Sequence, residues 1–244
     1  MLTRALRSVR DGLLTLAYPQ HCRLCGAPVS SWDDGVCCRE CWEDPEITKL
    51  FFDLPCCRKC GAPSSSDRLC GGCKEQPFEA ARSCGAYSGA LEASILFLKS
   101  EPHVCPRLKE LLSRTYISNR SAIESELVMA VPLHRLRERE RGFNQAAIIA
   151  RMISSRFGLA FDASALSRVA HTDRHRAGVD RIDRARSVEG AFKVTQPRKV
   201  RGITVLLVDD LITTGSTVSA AATALLEAGA ASVRVLTIAR AVGA

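Results

Sequence analysis

Apolar residues follow two different patterns along the chain. From residue 77 onward, short apolar runs alternate with longer stretches whose apolar positions recur every three to four residues. These patterns predict strands at 84–88, 127–131, 203–208 and 233–239, and helices at 91–99, 106–116, 144–157 and 217–228. The alternation predicts an α/β fold with a doubly wound, mainly parallel sheet that is covered on both faces. Such sheets bind ligands beyond the carboxyl ends of their strands, so candidate sites follow Val131 and Val208.

The first 19 residues carry a separate helical pattern. Leucine or valine recurs at helical spacing through 2–16, and arginines interrupt the apolar run. We therefore expect an amphipathic helix docked on the protein; a basic arm that binds a surface is the alternative. The segment does not read as a secretory signal, and no run approaches the roughly 20 apolar residues of a membrane span. These features predict a cytoplasmic protein.

Cysteines are concentrated in the N-terminal third, where ten of the twelve lie between positions 22 and 73. Eight of them form four pairs with a two-residue spacer: Cys22 with Cys25, Cys38 with Cys41, Cys57 with Cys60, and Cys70 with Cys73. One tight turn at this spacing aims two thiolates at one tetrahedral zinc ion. Consecutive pairs predict two zinc ribbons with a structural role, because four protein ligands leave no position for water.

The zinc interpretation leaves two alternatives open. Cys37 and Cys56 lie beside assigned ligands and could replace them, and the protein could retain one ion instead of two. Cys84 and Cys105 lie outside the repeat and are predicted to be ordinary buried thiols.

Composition indicates a folded protein with an anionic ligand. Hydrophobic residues make up 46% and charged residues 25% of the 244 residues, which excludes disordered, collagen-like and membrane classes. Lysine and arginine number 34 against 26 aspartate and glutamate, and the net charge of +8 favours phosphate, pyrophosphate or nucleic acid. Charge alone does not choose among these three.

The segment after the predicted strand at 203–208 has the most specific pattern. Asp209 and Asp210 precede a short loop, rich in hydroxyls and containing a glycine, that opens the next predicted helix. Loop N–H groups, hydroxyls and the helix dipole form a phosphate cradle, while the carboxylates suit a sugar diol or a metal ion. Together these groups describe a sugar phosphate as the ligand. The alternative is an acidic turn followed by a capped helix.

A basic segment follows the other candidate strand end. Residues 132–145 are predicted to form a loop, with four arginines and two glutamates between positions 135 and 141. Arginine forks bind pyrophosphate through paired hydrogen bonds, so the loop suits that group. The alternative is a solvated, charged helix start with Asn144 as its N-cap.

The motif VLLVDDLITTGST at 205–217 resembles the signature with which type I phosphoribosyltransferases bind 5-phosphoribosyl 1-pyrophosphate (PRPP). With the cysteine pairs, it makes the whole chain similar to the ComF family, in which a double zinc ribbon precedes a phosphoribosyltransferase domain. The other segments that carry this resemblance are VPLH at 131–134, RERGFNQA at 139–146 and EGAF at 189–192. ComF proteins are associated with natural competence and uptake of single-stranded DNA, and they also occur where competence is not evident.

The resemblance implies roles for individual residues. Asp209 and Asp210 would bind the ribose hydroxyls of PRPP, which is accompanied by Mg²⁺. Its 5′-phosphate would be held by Thr213, Thr214, Gly215, Ser216 and Thr217. The candidates for its pyrophosphate are His134, Arg135, Arg141, Asn144 and Gln145.

A second basic stretch at 168–186 is too long and irregular for an ordinary connection. The resemblance makes it the flexible loop and hood that close over PRPP; a disordered insertion is the alternative. His175 and Ser187 stand where the family pattern has glutamine and asparagine, so the resemblance does not fix the acceptor.

Two functions follow from the sequence. The first is a phosphoribosyltransferase whose arginines and Mg²⁺ stabilise departing pyrophosphate, with no residue assigned as general base. The second is a non-catalytic protein that binds single-stranded DNA and uses the fold as a scaffold or PRPP sensor. Its candidate stacking residues are Trp32, Trp42, Phe51 and Phe52. Competence or DNA-processing proteins are further candidate partners, through the ribbons.

The expected units are the helix at 1–19, the ribbons at 20–76 and the α/β domain at 77–244.

Overall fold

The computed structural model describes residues 18–44, 55–64, 68–73, 76–169 and 190–242. The predicted helix at 2–16, Phe51, Phe52 and nearly all of the basic stretch at 168–186 lie outside the described residues. Within the described ranges, none of the helices has the length and apolar character needed to cross a membrane.

Five parallel strands form the main sheet, in the order β1–β7–β6–β2–β3. These strands are β1 (Ala80–Ala86), β2 (Leu127–Ala130), β3 (Ala160–Asp162), β6 (Thr204–Ile212) and β7 (Ser232–Arg240). A separate antiparallel pair joins β4 (Leu166–Arg168) to β5 (Phe192–Val194). The nearly continuous apolar runs of β6 and β7 place these two strands at the centre, where helices cover both faces. The predicted α/β class is therefore confirmed.

Seven α-helices accompany the described strands: α1 (Arg39–Trp42), α2 (Gly89–Ser100), α3 (Pro106–Ser118), α4 (Arg120–Ile123), α5 (Arg135–Arg141), α6 (Gln145–Phe157) and α7 (Ser216–Glu227). Short 3₁₀ turns occur at Trp32–Asp34, Gly71–Cys73 and Pro197–Lys199. Local chemistry sets the bounds of α6. Asn144 Oδ1 accepts the N–H of Ala146 at 2.9 Å, and Gly158 ends the helix in the left-handed conformation at φ 66°.

The two zinc ribbons pack on opposite faces of the sheet. Alternate residues of β6 point to opposite faces, so Leu206 and Val208 belong to one core and Val205 and Leu207 to the other. The first core also contains α2, α3, α6 and the first ribbon, residues 18–44. The second contains α7 and the cysteines of the second ribbon, whose described residues are 55–64 and 68–73. The two ribbons therefore contribute to different cores, one on each face of the sheet.

The second ribbon also contacts the edge strand β1. The N–H of Ala81 donates to the carbonyl of Lys59 at 2.6 Å, and the Arg240 guanidinium donates to the carbonyl of Cys60 at 3.0 Å. Gly61 has φ 70°, and a Cβ built on it would lie 2.5 Å from the Ala81 carbonyl oxygen. A glycine at this turn is required both by its conformation and by the close approach. The contact covers a stretch of strand edge that would otherwise be open to pairing.

Two sequence expectations differ from the structure. Residues 132–145 were predicted to form a loop, but α5 occupies 135–141 because His134 caps its start and Gly142, at φ 81°, ends it. The weak strand expected at 84–88 begins earlier, at Ala80, because its partner β7 is long enough to pair with it from Arg234 onward. The short strands β3, β4 and β5 were not predicted, since three residues are too few to show periodicity.

Candidate functional site

An open strand edge positions the acid pair. β2 pairs with β6 only as far as Ala130 opposite Val208, whereas β7 pairs with β6 to its end at Ile212. The last four residues of β6 therefore have a paired neighbour on one side only, among the described strands. Asp209 and Asp210 lie at this edge, which we call the β6 crevice, and are 9% and 4% exposed. The sequence predicted that the strand would stop at Val208; instead it continues through both acids.

Asp210 is the centre of a polar network that joins three helices. Lys99 Nζ of α2 lies 3.4 Å from its Oδ2, and Gln145 Nε2 of α6 donates to the same oxygen at 3.4 Å. The guanidinium of Arg141, at the end of α5, donates in turn to Gln145 Oε1. A nearly buried carboxylate is stabilised by such a cation and donor, because burial otherwise disfavours its charge. The network brings basic and acidic groups together at one end of the sheet.

Asp209 is placed differently from its neighbour. Its Oδ1 accepts the backbone N–H of Asp210 at 2.8 Å. Consecutive strand residues point to opposite faces, so the two carboxylates flank β6 and do not stack on one side.

The loop from Thr213 to Gly215 connects this edge to α7. Gly215 adopts φ 84° at the N-cap position, and Thr214 Oγ1 lies 2.9 Å from Ser216 Oγ. The first N–H groups of a helix lack intrahelical partners and carry the positive end of its dipole, which suits an anion. Thr213 is exposed, and Ser216 and Thr217 are half-buried, so these three residues are at least partly open to solvent. The predicted phosphate residues are thus adjacent to the acids.

The predicted pyrophosphate residues divide into two groups. His134 and Arg135 lie at the start of α5, where His134 Nδ1 accepts the N–H of Leu136 at 3.4 Å. Arg141 belongs to the Asp210 network through Gln145. Asn144 is 9% exposed, and besides capping α6 its Nδ2 donates to the carbonyl of Val131 at 3.0 Å. Asn144 therefore fixes the end of β2 against α6. It is also the N-cap of α6, which was the alternative to its predicted role in pyrophosphate binding.

The eight paired cysteines form two compact clusters. In each cluster, the four sulfur atoms lie within 4.8 Å of one another. The first cluster contains Cys22, Cys25, Cys38 and Cys41, and the second contains Cys57, Cys60, Cys70 and Cys73. The Cys25–Cys38 and Cys22–Cys41 sulfur distances are 3.6 and 3.7 Å. Zinc–sulfur bonds of about 2.3 Å at tetrahedral angles require sulfur separations of about 3.8 Å. The donor set thus fits two structural zinc ions.

Each cluster contains one strongly acidified thiol. Burial raises the pKa of Cys22, but hydrogen bonds from neighbouring backbone N–H groups, that of Cys25 foremost, outweigh burial and lower the pKa to about 6. Cys57 follows the same pattern, with the N–H of Cys70 foremost, and its pKa is also lowered to about 6. A thiolate that forms readily near neutral pH is ready to bind a metal ion.

The two cysteines that could have replaced an assigned zinc ligand lie outside the clusters. Cys37 and Cys56 are outside both clusters, and burial raises the pKa of Cys37 to about 12, which keeps its thiol protonated. Cys84 and Cys105 are buried, as predicted.

Trp42 is 4% exposed and donates its indole N–H to the Asp34 carbonyl at 2.7 Å, so it covers the first ribbon and cannot stack on DNA.

Two protein domain families match the chain. The double zinc ribbon domain matches residues 13–74, and the phosphoribosyl transferase domain matches residues 144–242. The DNA utilization protein YhgH of Salmonella typhimurium is 30% identical over 233 residues, which cover 92% of this chain and 99% of that protein. Competence protein F of Haemophilus influenzae is 29% identical over 202 residues, covering 79% of this chain and 88% of that protein. The chain belongs to the ComF family.

A third relative supports the same assignment. The competence protein ComFC of Bacillus subtilis is 27% identical over 199 residues, covering 75% of this chain and 77% of that protein. This ComF protein is therefore a phosphoribosyltransferase-like protein with an N-terminal double zinc ribbon. Its two four-cysteine clusters are structural zinc sites.

Sequence reasoning missed two side chains of this ComF protein. Lys99 was expected only as the end of a helix, although a lysine directly after the apolar run Ile95–Leu98 is a signal that could have been used. Gln76 follows the last zinc ligand, and its amide oxygen reaches the first turn of α7. No local sequence pattern marks Gln76, because its contact depends on the ribbon's position on the sheet.

Proposed function

We propose that this ComF protein binds PRPP with Mg²⁺ in the β6 crevice and transfers or recognises its phosphoribosyl group. The observation that carries the proposal is the network of Arg141, Gln145, Asp210 and Lys99, which adjoins the hydroxyl-rich start of α7. Basic groups, an acid pair and a helix N-terminus meet at one strand end, and PRPP has a complementary pyrophosphate, ribose diol and 5′-phosphate.

Each part of the ligand has its partners in this proposal. Asp209 and Asp210 accept hydrogen bonds from the ribose hydroxyls. The 5′-phosphate is held by Thr213, Thr214, Gly215, Ser216 and Thr217. His134, Arg135 and Arg141 bind the pyrophosphate, while Asn144 and Gln145 hold α5 and α6 in position for it. Oxygen ligands suit Mg²⁺, and the ion would neutralise charge on the pyrophosphate.

The chemistry that this arrangement favours is substitution at C1 of the ribose. The bond from C1 to pyrophosphate breaks as positive charge develops on the sugar, and a nitrogen acceptor supplies the new electron pair. Arginines beside the leaving group stabilise its charge, and the nearby carboxylates stabilise the cationic sugar. No described side chain is assigned as a general base.

The relatives' names support a biological setting. Two of them are called competence proteins and one a DNA utilization protein, so we propose that this protein acts in uptake or use of DNA, together with competence or DNA-processing proteins. Binding of single-stranded DNA without catalysis is the second candidate, and the net charge of +8 favours it.

A cytoplasmic location suits the free zinc-binding thiols. The units 1–19, 20–76 and 77–244 would then be an amphipathic helix, the ribbons and the phosphoribosyl domain.

Calorimetric titration with PRPP and Mg²⁺ tests ligand binding directly. We expect saturable binding of PRPP by the full chain and weaker binding of ribose 5-phosphate, which lacks the pyrophosphate. The double variant Asp209→Ala with Asp210→Ala should bind PRPP at least about 100-fold less tightly, because it loses two hydrogen-bond acceptors that carry charge. The matched control removes two exposed acids distant from the crevice, Glu110→Ala with Glu227→Ala.

Different outcomes would contradict or support each of the two candidate functions. Equal PRPP affinity in the wild type and in the Asp209, Asp210 double variant would contradict the proposed site. Release of pyrophosphate in the presence of a nitrogen acceptor would establish transfer, and PRPP binding without release would favour a sensor. For the second candidate, affinity for an oligonucleotide should fall steeply as salt rises; affinity that does not change with salt would exclude it.

A further inference from the structure

A cavity lies between the first zinc ribbon and the α/β domain. It has a volume of about 520 Å³, and its walls come from the ribbon on one side and from α2 and the start of α3 on the other. Ligand pockets commonly measure about 300–1,000 Å³ and occur where domains meet. None of the described residues that line it belongs to the β6 crevice. The cavity is therefore separate from the β6 crevice, and an inference about it does not rest on PRPP binding.

Aromatic surfaces and an arginine form one wall of this cavity. The Arg23 guanidinium lies over the Phe97 ring, with 5.0 Å between Cζ and the ring centroid. A guanidinium stacked on one aromatic ring still presents its other face to a second ring, while its edge keeps N–H donors for an anion. Trp32 is half-buried in the same cavity and supplies a further flat surface. A planar aromatic ligand fits such walls.

The polar groups indicate what else the ligand carries. Ser94 is 4% exposed, and its hydroxyl has no hydrogen-bond partner among the described residues. Buried hydroxyls are normally paired, so a partner supplied by a bound molecule would remove this deficit. His21 and His103 add two imidazoles, and the described lining contains Arg23 and no aspartate or glutamate. The lining thus favours an anionic ligand with hydrogen-bonding groups.

We propose that this cavity binds a nucleotide. The base stacks on Arg23 and Trp32, its polar edge approaches Ser94, and the phosphate accepts hydrogen bonds from the edge of the Arg23 guanidinium. A free mononucleotide and an unstacked base of a single-stranded oligonucleotide present the same chemistry. A sugar phosphate without a base lacks the planar ring that the walls accept.

Tryptophan fluorescence provides a local readout. The chain has two tryptophans, and Trp42 is buried under the first ribbon, so the Trp42→Phe variant reports on Trp32 alone. We expect saturable quenching of Trp32 by a deoxymononucleotide or by a short single-stranded oligonucleotide, and none by ribose 5-phosphate. Zinc content and circular dichroism establish that the variant is folded. Quenching by the mononucleotide assigns a free nucleotide; quenching by the oligonucleotide alone assigns a DNA base.

Variants of the wall identify the site. Arg23→Ala and Phe97→Leu, each in the Trp42→Phe background, should weaken binding by about tenfold or more, because they remove stacking surface. Arg39→Ala is the matched control: it removes one exposed arginine from the same ribbon, outside the cavity lining. Three results would overturn the proposal: no quenching by the mononucleotide and none by the oligonucleotide, equal quenching by ribose 5-phosphate, or equal weakening of binding in Arg39→Ala.

Discussion

The amide oxygen of Gln76 accepts a hydrogen bond from the hydroxyl of Ser219 in the first turn of α7. The same oxygen lies 3.6 Å from the position that a Cβ would take on Gly215. The backbone N–H of Gln76 donates to the carbonyl of Cys73, a zinc ligand, at 3.3 Å. One residue therefore connects the second zinc ribbon to the loop that we assign to the 5′-phosphate.

Replacing Gln76 tests this connection. Gln76→Ala should lower the affinity for PRPP by about fivefold, because one hydrogen bond that positions the loop is worth about 1 kcal/mol. Calorimetry with PRPP and Mg²⁺ measures the effect, and zinc content should stay at the wild-type level. Gln196→Ala is the control, because that amide donates to the Ser164 hydroxyl and not to a residue of α7. Unchanged affinity in Gln76→Ala would show that the contact does not position the loop.

The acid pair could be predicted from sequence, and its environment could not. Asp209 and Asp210 directly follow the apolar run of β6 and precede a hydroxyl-rich loop, so a local pattern identified them. The partner Lys99 lies 111 positions earlier than Asp210 on a different helix, and only the packing of α2 against the sheet brings it within 3.4 Å. Contacts between distant elements depend on tertiary geometry, which periodicity does not contain.

The pairing of Lys99 with Asp210 predicts a stability effect. Lys99→Met keeps the length of the side chain and removes its charge. The Asp210 carboxylate, which is 5% exposed, then keeps the hydrogen bond from the Gln145 amide but loses its neighbouring cation. We expect the free energy of unfolding to fall by about 2 kcal/mol, less than for a fully buried pair because Lys99 is 21% exposed. Urea unfolding at neutral pH measures this change.

A second substitution checks the cause of that loss. Asp210→Asn in the Lys99→Met background removes the unpaired charge and should restore most of the stability, so the two effects should not add. Lys109→Met, on the exposed surface of α3, should change stability by less than about 0.5 kcal/mol. Additive losses in the double variant would mean that Lys99 stabilises the protein through packing instead of charge.

The ribbons show the same limit of prediction. The repeated segments CRLCGAP at 22–28 and CRKCGAP at 57–63 form equivalent turns, with an N–H···O bond from Gly26 to Cys22 and from Gly61 to Cys57. The two-residue spacer, repeated in four cysteine pairs, was therefore enough to assign both ligand sets. Their positions on opposite faces of the sheet follow from apolar packing around β6, and no spacing of cysteines predicts it.

Zinc removal should occur in two phases. Cys25 is exposed and Cys41 half-buried in the first cluster, whereas only Cys70 is more than slightly exposed in the second. A chelator therefore reaches the first ion sooner, and a zinc-sensitive dye should record a fast and a slow release of one equivalent each. Cys25→Ser should abolish the fast phase, because three thiolates bind the ion less tightly.

Two further cysteine variants settle the ligand assignment. Cys56→Ser should retain both ions, since Cys56 lies outside the cluster, while Cys57→Ser should lose one. Elemental analysis of the purified variants measures the ratio of zinc to protein. Loss of an ion in Cys56→Ser would instead make Cys56 a ligand of the second site.

The equivalent glycines of the two ribbons predict unequal effects of one substitution. Gly26 and Gly61 have nearly the same φ, 74° and 70°, but a Cβ on Gly26 would meet no atom within 4 Å, whereas one on Gly61 would lie 2.5 Å from the Ala81 carbonyl oxygen. Gly26→Ala should cost about 1 kcal/mol through conformation alone. Gly61→Ala should cost about 3 kcal/mol, because the ribbon must also move away from β1.

Amide hydrogen exchange distinguishes the two causes. In Gly61→Ala the N–H of Ala81 should lose protection, because its acceptor, the Lys59 carbonyl, moves with the turn. In Gly26→Ala the same N–H should exchange as slowly as in the wild type, although that variant carries the same conformational strain. Equal protection of Ala81 in both variants would mean that the second ribbon is not held against the sheet edge by this contact.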